Sequence, residues 1–283
     1  MNRGLAQRQA DPHTPAARPL LANALRWALV PVLAAGALML FKPAGNAANA
    51  ACETITEQGN GYAMCAFSAK GTDIRTFLAD DNGEVFGSLP ALNSSLEKQG
   101  ERLAFGMNAG MYHADLTPVG LYIENSAQRQ SLNTRRGPGN FHLQPNGVFY
   151  VANGVAGVME SRQFAKRRIK ASFATQSGPM LVINGAMHPR FNEESDSRKV
   201  RNGVGLCAGN KVIFAISDRP VTFHEFAVLF RDRFKCANAL FLDGGSVPVL
   251  YAPSISRTDR GRQIGPIVGV GEKKRRSAFF RLG

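Results

Sequence analysis

The residue types most able to do chemistry sit where apolar runs end. Asn238-Ala239-Leu240-Phe241-Leu242-Asp243-Gly244-Gly245-Ser246 is an apolar run too short for a helix, closed by an acid and two glycines. Such a string reads as a buried strand that delivers the Asp243 carboxylate to a turn. Glycines at that point let the backbone approach a ligand and aim its N–H groups at an anion. A tight turn capped by Asp243 fits the same string. Leu103 to Met107 repeats the arrangement and ends in Asn108-Ala109-Gly110. Three more polar stretches are punctuated by glycine: Gly139-Asn140-Phe141, Gln176-Ser177-Gly178-Pro179 and Arg201-Asn202-Gly203-Val204-Gly205.

Several familiar chemistries fail on spacing. A serine nucleophile needs G-x-S-x-G so that the chain can turn sharply on both sides, and after Gly244-Gly245-Ser246 the second flanking position is Pro248. Ser177 is no better placed. A two-metal phosphoesterase needs clustered Asp and His ligands. The five histidines are scattered, and Gly139-Asn140-Phe141-His142 is only superficially similar to such a motif. No G-x-x-x-x-G-K phosphate loop is present. Neither a metal nor a cofactor is therefore expected. His224 and Glu225 lie side by side, but Thr222-Phe223-His224-Glu225 is a capping box, which occupies Glu225 at a helix start.

The elements that must position these residues are mostly short strands. Ala63 to Ser68 and Ile74 to Leu78 read as strands around a Lys70-Gly71-Thr72 turn. Ser88 to Gln99 reads as a helix with Leu89, Leu92 and Leu96 on one face and Gly100 as its stop. Leu103 to Met107 and Pro118 to Glu124 read as strands. Asn153-Gly154, Asn184-Gly185 and Gly209-Asn210 mark three hairpins, because a type I′ turn needs positive φ at both central residues. Phe191 to Lys199 reads as a polar surface loop. A second helix opens at Thr222, with Phe226, Leu229, Phe230 and Phe234 facing inward. The expectation is α+β: one domain with a mixed, strand-rich sheet core, several Asn-Gly hairpins and a few packed helices. Two helix–strand–glycine units would place Asn108 and Asp243 at one edge of one sheet.

The ends of the chain differ from its body. A basic, Pro- and Ala-rich start leads into the apolar run Trp27 to Phe41, short for a membrane span of roughly 20 residues. Ala48-Asn49-Ala50 then has the small-x-small pattern of a signal peptidase site. Residues 1–50 read as a signal peptide, with an uncleaved anchor as the alternative, and the product as periplasmic or secreted. The formal charge of +13 is concentrated at the termini: residues 1–50 carry five Lys/Arg and one acid, and residues 272–283 carry five and one. Residues 51–271 form the expected domain and 272–283 a basic tail whose candidate contact is a membrane surface. Nothing beside that tail makes a nucleic-acid module. Cys52, Cys65, Cys207 and Cys236 all fall in the exported part, where oxidised pairs are favoured. The pairing expected is Cys52–Cys65 with Cys207–Cys236.

Taken together, the five glycine-punctuated stretches resemble the phosphodiester glycosidase family over about Leu103 to Val270. The likeness is greatest to bacterial exported members, in which segments like Asn108-Ala109-Gly110-Met111-Tyr112, Pro145-Asn146-Gly147-Val148-Phe149 and Leu242-Asp243-Gly244 recur. One departure is that the animal group has a third glycine before the serine. The resemblance implies hydrolysis of the bond between a sugar's anomeric carbon and a phosphodiester. A phosphate leaving group is already a stable anion, which relaxes the usual need for a second carboxylic acid. On this reading Asp243 serves the water or the oxocarbenium-like centre, and Arg201 clamps phosphate oxygens. Asn108 completes the catalytic group. Asn140, Ser177, Gly178, Asn202, Gly244, Gly245 and Ser246 hold sugar hydroxyls or phosphate. The partner implied is a small sugar phosphodiester or a cell-envelope glycan. A non-catalytic, carbohydrate-binding envelope protein on the same scaffold is the competing reading, and convergence of Asp243, Arg201 and Asn108 in one pocket separates the two.

Overall fold

The computed structural model describes residues 51–245 and 247–274, so the expected signal peptide, Ser246 and the end of the basic tail lie outside the described residues. The α+β class holds, and the strand-rich core divides into three sheets whose pairings are antiparallel. Local turn chemistry explains much of this. Asn153 and Gly154 (φ 51° and 70°) join Gly147–Ala152 to Val155–Glu160, and Asn184 and Gly185 (φ 49° and 83°) join Met180–Ile183 to Ala186–Met187. A short tight connection can only make antiparallel neighbours.

The seven-stranded sheet has the order Ala51–Glu57, Asn60–Ser68, Lys211–Ser217, Asn202–Cys207, Cys236–Phe241, Met180–Ile183, Ala186–Met187. A five-stranded sheet runs Arg257–Thr258, Leu250–Ala252, Glu101–Asn108, Ile267–Lys273, Ile74–Phe77. The third runs Ala127–Gln130, Tyr122–Glu124, Phe173–Ser177, Gly147–Ala152, Val155–Glu160. All three turn apolar faces to one core. Phe214 of the first sheet lies 4.8 Å from Phe105 of the second and 5.5 Å from Phe149 of the third, centroid to centroid, so one ring marks where the sheets meet.

The far face of the seven-stranded sheet is covered by the helix Phe223–Val228 and the π-helical turn Leu229–Arg233. The capping box is formed: Thr222 Oγ1 accepts from Glu225 N at 3.1 Å, and Glu225 Oε2 accepts from Thr222 N at 2.7 Å. Phe226, Leu229 and Phe230 are fully buried beneath it, each contributing about 1.5–3 kcal/mol of apolar burial. Gly205 makes this packing possible, since a Cβ there would stand 2.7 Å from the Phe230 ring. The expected helix over Leu89–Lys98 is present too, capped by Ser88 and burying Leu89, Leu92 and Leu96 against the second sheet.

Both expected disulfides are formed. Cys52 faces Cys65 directly across the first hairpin, and Cys207 faces Cys236 across a central pair of the same sheet. Three expectations about placement change. Asn108 and Asp243 do not share a sheet: Asn108 ends a strand of the five-stranded sheet and Asp243 follows a strand of the seven-stranded one. The strand expected from Pro118 is confined to Tyr122–Glu124. Glu272 and Lys273 continue the strand Ile267–Lys273 rather than starting a tail, with Glu272 paired to Arg102 at 2.5 Å.

Candidate active site

The two sheet ends are joined by side-chain amides. Asn108 Nδ2 donates to the backbone oxygen of Asp243 at 2.9 Å, and the backbone N–H of Asp243 donates to Asn202 Oδ1 at 3.0 Å. Asn202 Nδ2 in turn donates to Asn108 Oδ1 at 2.9 Å and to its carbonyl at 3.1 Å. Asn108 Oδ1 also accepts from Val249 N at 3.0 Å. Asn108 and Asn202 are both completely buried, so their amides are committed to the backbone on either side of the Asp243 peptide. Ser177, equally buried, donates from Oγ to the carbonyl of Leu242. Strands from all three sheets thus hold one turn.

The glycines shape the same turn from the backbone side. At Gly244 a Cβ would stand 2.7 Å from both the Phe241 ring and the Val200 carbonyl, and Gly245 has φ 95°, a conformation natural only to glycine. Gly245 N donates to Val200 O at 2.8 Å. Gly178 leaves no room either, with Asn146 Cβ 2.6 Å and the Phe141 carbonyl 2.9 Å from where its Cβ would lie. That contact brings the exposed Asn140 loop to the neighbour of Ser177. Ser246 lies outside the described residues.

Asp243 is the titratable group of this cluster. Burial pushes its carboxyl up from 3.8 to about 7. The cause is desolvation alone; no described cation holds it down. Tyr112, half-buried, donates to Gln263 O at 3.1 Å, and burial together with the nearby Asp243 charge pushes its phenol up to about 12. Tyr112 had no role in the sequence reading beyond its place in the Asn108 to Tyr112 stretch.

Arg201 is placed elsewhere. Successive residues of a strand face opposite sides of a sheet. Asn202 turns to Asn108, and Arg201 turns to the helical face. There its Nε donates to Val221 O at 2.8 Å, its Nη2 donates to Ser197 O at 2.9 Å, and its guanidinium lies 3.6 Å from the Phe223 ring centre. It is 1% exposed, and burial lowers its pKa to about 10, opposed by Glu225. The expected phosphate clamp is therefore corrected: this guanidinium is enclosed by its own chain. The loop it pins is the polar stretch Phe191 to Lys199, which Arg198 also ties down through a two-pronged pair with Glu225 at 3.0 and 2.9 Å.

Gln176 and Asn146, without assigned roles in the sequence reading, organise the other wall. Gln176 Oε1 accepts from Leu121 N and Asn133 N, each at 2.9 Å, and its Nε2 donates to Asn133 O at 2.7 Å and Ser161 Oγ at 3.1 Å. Asn146 Nδ2 donates to Phe141 O at 3.1 Å. These bonds set the loop that carries Arg136 to Asn140. A buried amide that serves several backbone partners leaves no periodic trace in sequence.

The comparisons bear on the family and the fold. A family profile described as phosphodiester glycosidase matches residues 101–271, the span that holds all the residues above. The chain is 38% identical over 171 residues to the uncharacterized protein YigE of Escherichia coli K12, a match spanning 60% of this chain and 66% of YigE. Its fold is similar to the zebrafish N-acetylglucosamine-1-phosphodiester alpha-N-acetylglucosaminidase catalytic domain, auto-inhibited by its pro-peptide, with TM-score 0.55 and 13% identity over 77% of this chain and 81% of that one. A hypothetical protein from Synechocystis is similar at TM-score 0.51 and 15% identity, covering 78% of this chain and 61% of that one. With most of its described residues inside the family match, the chain belongs to the phosphodiester glycosidase family.

Proposed function

We propose that this protein is an exported hydrolase that cleaves the bond between a sugar's anomeric carbon and the oxygen of a phosphodiester. The observation that carries the reading is the Asp243 carboxyl, held by its own backbone between Asn108 and Asn202 and raised by burial to about 7. A carboxyl near neutrality is matched to proton transfer at the working pH. In its ionised form Asp243 takes a proton from the attacking water. The water oxygen bonds to the anomeric carbon, the bond from that carbon to the phosphodiester oxygen breaks, and the phosphate monoester leaves with the bonding pair. That leaving group needs no acid, which fits a site built around one carboxyl.

Asn108, Asn202 and Ser177 act on this reading as positioning residues, because none has exposed surface for a sugar hydroxyl. Substrate contact then falls to Asp243, Gly244, Gly245 and Ser246 with Asn140 at the rim. The name of the zebrafish relative supports a sugar-1-phosphodiester as the substrate class; the sugar is left open. Export rests on the run Trp27 to Phe41, the pattern Ala48-Asn49-Ala50 and the two disulfides, with the mature chain beginning at Ala51. Among the described residues no helix is long and apolar enough to cross a membrane.

The test is a panel of sugar-1-phosphodiesters offered to the mature protein, with release of phosphomonoester and free sugar followed together. Turnover that vanishes in Asp243→Asn is the expected result. A folded protein that binds these compounds and turns over none would replace the hydrolase with the carbohydrate-binding reading.

A further inference from the structure

Arg201 being enclosed leaves the family's anionic substrate without the cation the sequence reading gave it. Cations gather instead in a cleft of about 570 Å³ beside the Asn140 loop, lined by Arg136, Arg162 and Arg190 with His142, Gln144 and Glu160. All three arginines are exposed, and none forms an ion pair among the described residues. Glu160 keeps its charge and offsets one of the three cations, but the capping bonds fix where it sits. Its two carboxylate oxygens accept from the N–H groups of Arg162 at 2.9 Å and Gln163 at 2.8 Å, so it is spent on capping the helix Ser161–Arg167.

The other two polar groups, His142 and Gln144, differ in how far they are committed. His142 Nδ1 donates to Arg135 O at 2.9 Å, which fixes the ring. Gln144 also lines the cleft, and its buried Nε2 has no acceptor among the described residues. An unpaired buried donor is costly, and a ligand oxygen relieves it. A chain of contacts leads from this cleft toward the Asp243 turn: Asn146, two residues after Gln144, packs against Gly178, and the hydroxyl of neighbouring Ser177 bonds the Leu242 carbonyl.

We propose that this cleft is an anion subsite that takes a second phosphate, one carried by the leaving group beyond the scissile phosphodiester. The inference rests on the proposed function for the origin of the phosphate, and on the cleft alone for its chemistry. Phosphate is favoured over a single carboxylate because three guanidinium forks and an amide supply more donors than one carboxylate can accept, while a phosphate offers three terminal oxygens and pairs bidentately with arginine.

The experiment uses the full chain and two probes. Inorganic pyrophosphate is titrated calorimetrically at fixed ionic strength, against wild type and Arg162→Gln/Arg190→Gln. Saturable binding is expected, weakened at least about tenfold in the double variant, the scale of one or two lost charge-assisted bonds. Because both side chains are exposed, circular dichroism and the thermal midpoint should match wild type. In the second arm, KM is compared for two sugar-1-phosphodiesters, one with a phosphorylated and one with an uncharged leaving group. The variant should raise KM about tenfold for the first and leave the second, and both kcat values, within twofold. Equal pyrophosphate affinity in variant and wild type overturns the subsite. An unchanged KM for the phosphorylated compound overturns its assignment to the substrate. Should wild type hydrolyse neither compound, the proposed function fails, and the calorimetric arm alone decides the subsite.

Discussion

Replacing Asp243 by Asn tests the site and its energetics at once. The change keeps size and backbone bonding, so the clamps from Asn108 and Asn202 to the Asp243 peptide remain. What it removes is a charge that burial disfavours, with the carboxyl raised from 3.8 to about 7. At 1.36 kcal/mol per pKa unit, that shift amounts to about 4 kcal/mol of destabilisation when the group is fully ionised. The sign follows from proton counts. Between pH 4 and 7 the folded protein holds a proton that the unfolded chain has lost, so wild-type stability falls as pH rises through that window. Asn has no such dependence. The variant should match wild type near pH 4 and exceed it by up to about 4 kcal/mol at pH 8, read as urea midpoints at pH 4, 6 and 8. Turnover should move the other way, falling by roughly 10²–10⁴ for loss of a general base. Wild-type kcat/KM should rise with pH and level off above about 7. A variant with no stability gain at pH 8 would show that the carboxyl is well solvated, and near-normal turnover in the folded variant would remove Asp243 from the chemistry.

Further expectations can be checked with the same assays. Asn202→Ala strips the Asp243 N–H of its partner and the Asn108 oxygen of one of its two donors, and should cost about 1–3 kcal/mol and lower kcat, with KM little changed. Glu225→Ala should cost about 1 kcal/mol through the lost cap, without altering turnover of the folded protein at 25 °C. Replacing Cys52 and Cys65 by Ser opens a 13-residue separation and should lower stability by about 3 kcal/mol on the chain-entropy relation, measured by chemical denaturation beside the oxidised parent. Arg201→Met should leave KM for a phosphodiester within threefold once the protein is folded; a large rise in KM would return the phosphate clamp to Arg201.

Features set by a few neighbouring residues were legible in the sequence. Asn153-Gly154 and Asn184-Gly185 announce hairpins because their left-handed φ values are local properties, and Thr222 with Glu225 announces a helix start because both partners lie within one turn. The helix over Leu89–Lys98 shows through its apolar spacing, and the Cys pairs through nearness in sequence and the expected compartment. Asp243 could be singled out because an acid at the close of an apolar run is conspicuous in any context. Its raised pKa could not, since desolvation is a property of everything packed around the group. The meeting of Asn108 with Asp243 joins residues 135 apart from two different sheets, and no local pattern encodes which sheet ends come together. Arg201 shows the same division. Strand alternation already separates it from Asn202, but only the packed helix Phe223–Val228 decides that its side of the sheet is a closed interior, where carbonyls and an aromatic ring hold the charge in place of a substrate.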